Sequence, residues 1–283
     1  MHYKYNLEEN GITLIPNIIN HSLCANAIAV IEEYIRLNKS EDLLITDKGI
    51  PRKLCYAFDK GEVFLLIISE PKLIQILKNI YTNLDEIVPT WEDILIKSAK
   101  NGIPVELHQD LGLQTVSYGD VLSLAIYLND ANKNPVYYLE KSHKLGALTR
   151  TQLKQYQDKT LYTPIFAHKG DLTIHNILTL HFSNNNISKL PRYTWYVEFR
   201  SIPQIINDSP WNEDWARKRQ SILQYAIQLR KKYGLPYEEL YSQSYAEECL
   251  EKKPTLFKVP HLTNDITYND NEYNHFINHT TLF

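Results

Sequence analysis

The sequence predicts a mainly β protein with flanking helices, its centre an antiparallel sandwich or jelly roll. Three observations carry this expectation. Between Ile94 and Arg200 short β-branched and aromatic runs alternate with turn residues, without crossover helices to link them in parallel. Before and after that stretch, apolar residues recur at helical spacing. No internal repeat, low-complexity linker or shift in composition divides the 283 residues. One domain is therefore expected over 1–283: a helical N-terminal part (1–90), a jelly-roll core (91–200) and a helical C-terminal extension (201–283).

Taken in order, Gly11-Ile12-Thr13-Leu14-Ile15-Pro16 reads as a short strand ended by proline, and Ser22 stands where an N-cap belongs. The helix that follows puts Cys24, Ile28, Ile31 and Ile35 on one stripe, with Glu32, Glu33 and Arg36 off it. A second helix opens at Pro71 and runs through Leu73, Ile74, Leu77 and Ile80. Strand-like runs then cover Ile94–Lys97, Val105–Asp110, Val121–Leu128, Pro135–Leu139, Pro164–Ala167, Leu172–Ile174 and Tyr193–Phe199. The polar stretch Lys144–Tyr162 interrupts them and is long enough for a helix-containing excursion or a lid. Beyond Arg200, Ser209-Pro210 opens a helix through Trp211, Trp215, Ile222, Tyr225 and Leu229 that ends near Gly234-Leu235-Pro236, and a further helix is expected from Tyr237 to Glu251.

With 43% hydrophobic and 22% charged residues the chain can bury a sizeable core. Its formal charge of -3 lacks the basic excess that attracts phosphate backbones or anionic membranes, so neither nucleic acid nor membrane is an expected partner. The start is polar, and the longest apolar stretch, Val63–Ile68, falls far short of the roughly 20 residues that span a bilayer. A cytoplasmic protein with a small-molecule substrate is expected, and nothing in the sequence sets an oligomeric state. Cys24, Cys55 and Cys249 are too few and too scattered for a disulfide framework or a zinc site.

His108-Gln109-Asp110 ends one of the strand-like runs, and strand residues i and i+2 project from the same face, so an imidazole and a carboxylate converge. Ten histidines and 33 acidic residues give roughly 1.2 such triplets by chance, so a third ligand is needed to make the motif specific. Two histidines offer themselves downstream. His181 follows the turn Lys169-Gly170-Asp171 and the next strand, where a jelly roll can return it to the mouth of the barrel. His175 is its rival. Two histidines and one carboxylate occupy one face of an octahedron and leave three positions open, the arrangement of non-haem Fe(II) oxygenases. An α-keto acid fills two of them and O2 the third. The far carboxylate of 2-oxoglutarate then requires a fixed cation, for which Arg192 supplies a planar fork and Ser183 a hydroxyl.

Other residues carry two readings each. Ser123, Ala125 and Tyr127 share a strand face that points either at the cosubstrate or into core. Lys97 either neutralises an acid or lines the site. Trp195 packs or touches substrate, and Trp211 and Trp215 read as core or dimer contact. His143 and His168 read as loop histidines.

Set in order, these pieces resemble the phytanoyl-CoA dioxygenase family from about Gly11 to Arg200. The likeness is carried by Gly11 to Pro16, Lys97 eleven positions before His108, His108-Gln109-Asp110-Leu111-Gly112, Leu128-Asn129-Asp130-Ala131, Ser142-His143-Lys144, Gly170-Asp171-Leu172, and His181-Phe182-Ser183 with Asn186 and Arg192. The resemblance selects His181 over His175, which lies 17 rather than 11 residues before Arg192. It implies a double-stranded β-helix (jelly roll, cupin-like), Fe(II) at His108, Asp110 and His181, and 2-oxoglutarate at Arg192 with help from Ser183, beside which Tyr127 and Lys97 are the further candidates for cosubstrate contact. It also implies O2-dependent hydroxylation of an unactivated C–H bond of a small metabolite, in the tailoring of natural products. Asp110 disfavours halogenation, because related halogenases carry a small residue there. Two departures stand out. Asn134 to His143 lacks the family's usual glycine and Pro-Gly-Ser-His turn, and Phe182 replaces a small residue, which suggests tighter access beside the metal. The competing readings are a non-catalytic jelly-roll binding module and a cupin-like metalloenzyme that does not use 2-oxoglutarate.

Overall fold

Alternating side chains give each strand two unlike faces, and the strands assemble accordingly into two antiparallel sheets that face each other. The computed structural model of the chain describes residues 2–37, 42–81, 83–110, 121–208 and 211–241. Eleven strands lie among them: β1 (Ile12–Ile15), β2 (Leu43–Ile45), β3 (Pro51–Cys55), β4 (Ile87–Lys97), β5 (Val105–His108), β6 (Leu122–Tyr127), β7 (Val136–Tyr138), β8 (Thr163–Ile165), β9 (Leu172–Asn176), β10 (His181–Ser183) and β11 (Arg192–Ser201). The large sheet has the order β1-β9-β6-β11-β4-β3-β2 and the small one β5-β10-β7-β8. Contacts such as Ile12 with Val136 and Tyr138 join their inner faces. This is the jelly roll expected from the sequence.

The main core lies behind the large sheet. Leu122, Leu124 and Ile126 of β6, Ile94 and Ile96 of β4, and Tyr193, Trp195, Val197 and Phe199 of β11 pack outward against helices α2 (His21–Leu37), α4 (Glu62–Ile68) and α5 (Pro71–Ile80). Trp195 meets the edges of Phe58 and Phe64 at ring distances of 5.6 and 5.3 Å, which makes it a packing residue. The stripe on α2 is buried as its spacing predicts, although the helix starts earlier than Ser22: the Asn20 side chain accepts the Ser22 amide at 2.8 Å and caps it.

Before α2 runs a polar helix, α1 (His2–Asn10), and the β2–β3 hairpin and short α3 (Ala57–Lys60) precede α4. The apolar run Val63–Ile68 forms most of α4, which is buried between α2 and the long α8 (Glu213–Lys232). Asn212, not Ser209-Pro210, opens α8: its side chain accepts the Trp215 amide at 2.9 Å. α7 (Ile202–Asp208) links β11 to it. Across the sheet, Arg219 of α8 pairs with Glu92 of β4, both almost fully buried, and donates from Nε to the Pro89 carbonyl at 3.0 Å. The expected helix from Tyr237 is absent as far as Tyr241, and its remainder lies outside the described residues.

The stretch 144–162 contains α6 (Arg150–Leu153), opened by a Thr149/Gln152 capping box, and short 3-10 turns. Its Leu148, Leu153 and Tyr162 pack on Leu180 and Phe182, so it backs the outer face of the small sheet. Phe182 accordingly points away from the site. Next to His181 in a strand, it must face the other way, and it stacks on Tyr137 at 4.9 Å. The expected tightening beside the metal is not seen.

Candidate metal centre

β5 and β10 are neighbours, and His108 and His181 stand directly opposite each other in their ladder, with rings 4.1 Å apart. Each ring is fixed by its own backbone. His108 Nδ1 donates to the Glu106 carbonyl at 2.7 Å and His181 Nδ1 to the Thr179 carbonyl at 2.9 Å. Both rings therefore turn Nε2 inward toward Asp110, the orientation that metal-binding histidines require. Asp110 follows β5, its amide held by the Ile177 carbonyl at 2.9 Å, while buried Gln109 donates to the Gly146 and Leu178 carbonyls. Asp110 Oδ1 lies 3.3 Å from His108 Nε2 and 3.7 Å from His181 Nε2. The three ligand atoms all fall within 4.8 Å of one another.

His175, the rival in the sequence, reaches the same carboxylate from behind: its Nε2 is 2.9 Å from Asp110 Oδ2, and it is fully buried. It thus orients Asp110 while His181 stands at the front. Burial alone raises a carboxyl pKa, but His181, His108 and His175 together hold Asp110 well below the carboxylate range. Burial, reinforced by His108, pushes His181 down to about 3, so its imidazole is neutral and ready to ligate. Mixed N and O donors on one face suit a divalent transition ion such as iron and leave positions for other ligands.

Beyond this cluster the inward face of β11 carries Arg192 and Thr194, that of β6 Tyr127, and that of β9 Thr173. Arg192 is 1% exposed; its Nη1 donates to the Asn134 carbonyl at 2.5 Å, but Nε and Nη2 have no partner. Thr194 Oγ1 is also unpartnered, and the Tyr127, Tyr138 and Thr173 hydroxyls approach one another without a well-formed hydrogen bond. Buried donors left this way cost about 1–3 kcal/mol each unless an acceptor arrives. A carboxylate is the complement of that fork.

Lys97 is the cross-strand partner of Arg192 and donates to the Asn184 carbonyl at 2.6 Å and, more weakly, to that of Ser183 at 3.4 Å. Burial, with Arg192 adding to it, pushes Lys97 down to about 6. Among the described residues no acid pairs with it. Ser183 shares the inward face of β10 with His181. Tyr138, stacked on His181 at 5.3 Å, was missed in the sequence although alternation along β7 turns it inward. His143 ties its loop to α1 through the Glu8 carbonyl at 3.1 Å, and the His168 side chain is 65% exposed. Leu111 and Gly112 lie outside the described residues.

The profile of the phytanoyl-CoA dioxygenase (PhyH) family matches residues 7–194. The chain belongs to that family. Phytanoyl-CoA dioxygenase family enzymes use Fe(II), 2-oxoglutarate and O2, and the protein is accordingly a 2-oxoglutarate-dependent dioxygenase. Solved structures share the fold of this family member. The α-ketoglutarate-dependent epimerase SnoN from nogalamycin biosynthesis is 14% identical with a TM-score of 0.59 over 71% of this chain and 80% of its own. EctD from S. alaskensis, with 2-oxoglutarate and 5-hydroxyectoine, is 14% identical with a TM-score of 0.61 over 71% and 76%. AviO1 from Streptomyces viridochromogenes Tue57 is 18% identical with a TM-score of 0.57 over 71% and 94%. No curated protein matches the sequence. Among the described residues no helix is long and apolar enough to cross a membrane.

Proposed function

We propose that this dioxygenase hydroxylates an unactivated C–H bond of a small metabolite, in the tailoring of a natural product, with His108, Asp110 and His181 holding Fe(II). The observation that carries the reading is the convergence of His108 Nε2, His181 Nε2 and an Asp110 oxygen within 4.8 Å of one another, with each ring locked through its Nδ1. Arg192 binds the far carboxylate of 2-oxoglutarate through its unpartnered Nε and Nη2, with Ser183, Tyr127 and Lys97 around it. When bound, iron and 2-oxoglutarate supply the oxidising power, with succinate and CO2 as co-products. The protein's part is positional: it fixes three ligands and orients the cosubstrate among buried polar side chains on the inner faces of the sheets.

SnoN comes from nogalamycin biosynthesis and EctD was crystallised with 5-hydroxyectoine, which supports a small-molecule substrate. A cytoplasmic chain forming one domain over 1–283, with no nucleic-acid partner, belongs to the same reading; the buried free thiols Cys24 and Cys55 suit a reducing compartment. A binding module or a cupin-like enzyme without 2-oxoglutarate has no use for the Arg192 fork.

Anaerobic titration of Fe(II)-loaded protein with 2-oxoglutarate tests the proposal through the weak visible band of bidentate keto-acid chelation. The band should appear in the wild type and vanish in His181→Ala. In Arg192→Ala the 2-oxoglutarate affinity should fall about 100-fold, as expected for losing a charge-assisted pair. A well-folded, iron-loaded wild type that gives no band refutes it.

A further inference from the structure

β11 carries a second buried arginine on the same face as Arg192. Side chains 192, 194, 196, 198 and 200 all project inward, because the irregularity between Glu198 and Phe199 is an extra residue in β4 and leaves the alternation of β11 intact. Arg200 is fully buried; its Nε donates to Glu198 Oε1 at 2.7 Å, and its Nη1 and Nη2 have no partner. Trp211 lies over the guanidinium at 5.6 Å. A ring face attracts the cation but cannot accept the in-plane N–H groups, so the end of the fork stays unsatisfied. Gln204, one turn further on in α7, also leaves its side-chain amide nitrogen unpartnered. Donors accumulate here, and among the described residues no acceptor meets them.

The register locates this fork relative to the metal centre. Glu198 pairs with Ser123 and Ser123 with His175, and His175 holds Asp110. Two strand spacings and one inward step separate Arg200 from His175, about 12 Å between Cα atoms. Long side chains at both ends reduce that to a gap a small molecule spans. Arg192 stands at the opposite end of β11. Building on the oxygenase reading above, we propose that Arg200 binds the carboxylate of the substrate, whose body lies over Glu198, Ser123 and Tyr196 with its target C–H toward the metal. The substrate is thus a small carboxylic acid. A planar monoanion matches the free Nη1/Nη2 edge, whereas a dianionic phosphate would also face the Glu198 carboxylate. The apolar surround of Val88, Ile202, Ile205 and Trp211 strengthens such a pair.

The test is calorimetry on the full chain, loaded anaerobically with Fe(II) and saturated with 2-oxoglutarate so that Arg192 is filled, with benzoate, neutral benzamide and inorganic phosphate as probes. Benzoate should bind at least tenfold more tightly than benzamide or phosphate. Arg200→Gln should lose that preference, and Arg200→Lys, which keeps charge and bulk without the end-on fork, should weaken it at least tenfold with circular dichroism unchanged. Benzoate binding that is no better than benzamide, or is insensitive to Arg200→Lys, overturns the assignment, and a preference for phosphate overturns the carboxylate class. The chelation band is read in the same samples: its loss sinks the oxygenase reading, whereas its presence without Arg200-dependent benzoate binding sinks only this one.

Discussion

Lys97 shows how burial and charge combine at one residue. Its pKa of about 6 lies below that of the unfolded chain, so between about pH 6 and 10.5 the unfolded state binds a proton that the folded state does not. Stability therefore gains from this group as pH rises through that window. As a neutral amine, Lys97 can still donate to both carbonyls it faces. Docking the 2-oxoglutarate dianion at Arg192 offsets the positive charge that helps to depress Lys97, so binding at pH 7.5 should take up a fraction of a proton. Calorimetry in buffers of different ionisation enthalpy measures the uptake, which should vanish in Lys97→Met; equal uptake in both proteins refutes the explanation. At this scale the convergence of His108 and Asp110 is legible from i, i+2 alternation although the strand itself ends at His108, and His181 is selected through the family resemblance. The work of His175 and the isolation of Arg200 are not legible, since both depend on which strands become neighbours, a matter the linear pattern leaves open.

Between elements, the Arg219–Glu92 pair fastens α8 to β4. Burial pushes Glu92 up to about 7 even with the guanidinium beside it, a sign of how dry the contact is. Arg219→Ala should destabilise the fold by about 3–5 kcal/mol, because it strands a buried carboxylate. Replacing both partners by leucine should cost far less, and urea denaturation of the two variants at neutral pH makes the comparison. Equal losses would mean that packing, not charge, fastens the helix. The sequence disclosed α2, α5 and α8 through their apolar periods and the core strands through alternation. It hid α4, whose Val63–Ile68 run is apolar on every side and so has no period, and α1, which sends only Leu7 and Tyr3 toward the core and so shows no apolar stripe. The β2–β3 hairpin escaped because Leu43-Leu44-Ile45 is too short to show alternation.

For the molecule as a whole, a metal bound at the proposed centre would act as a clasp across the small sheet. A ligand that binds only the folded state at about 1,000 times its Kd adds about 4 kcal/mol of stability. Fe(II) under anaerobic conditions should raise the urea midpoint by a corresponding amount, 2-oxoglutarate should raise it further, and Asp110→Ala should abolish both gains. A midpoint indifferent to iron would mean that the triad holds no metal. The arrangement of the large sheet has another consequence, in time rather than in space. Ile12 pairs with His175, 163 positions later (175 − 12), and β4 waits for β11. Such distant pairings place folding in the slow, high-contact-order regime. During synthesis β1 emerges early and lacks its partner until β9 follows. His175, which holds Asp110, lies on that late strand, so the proposed metal centre is complete in a nascent chain only once most of its length has left the ribosome.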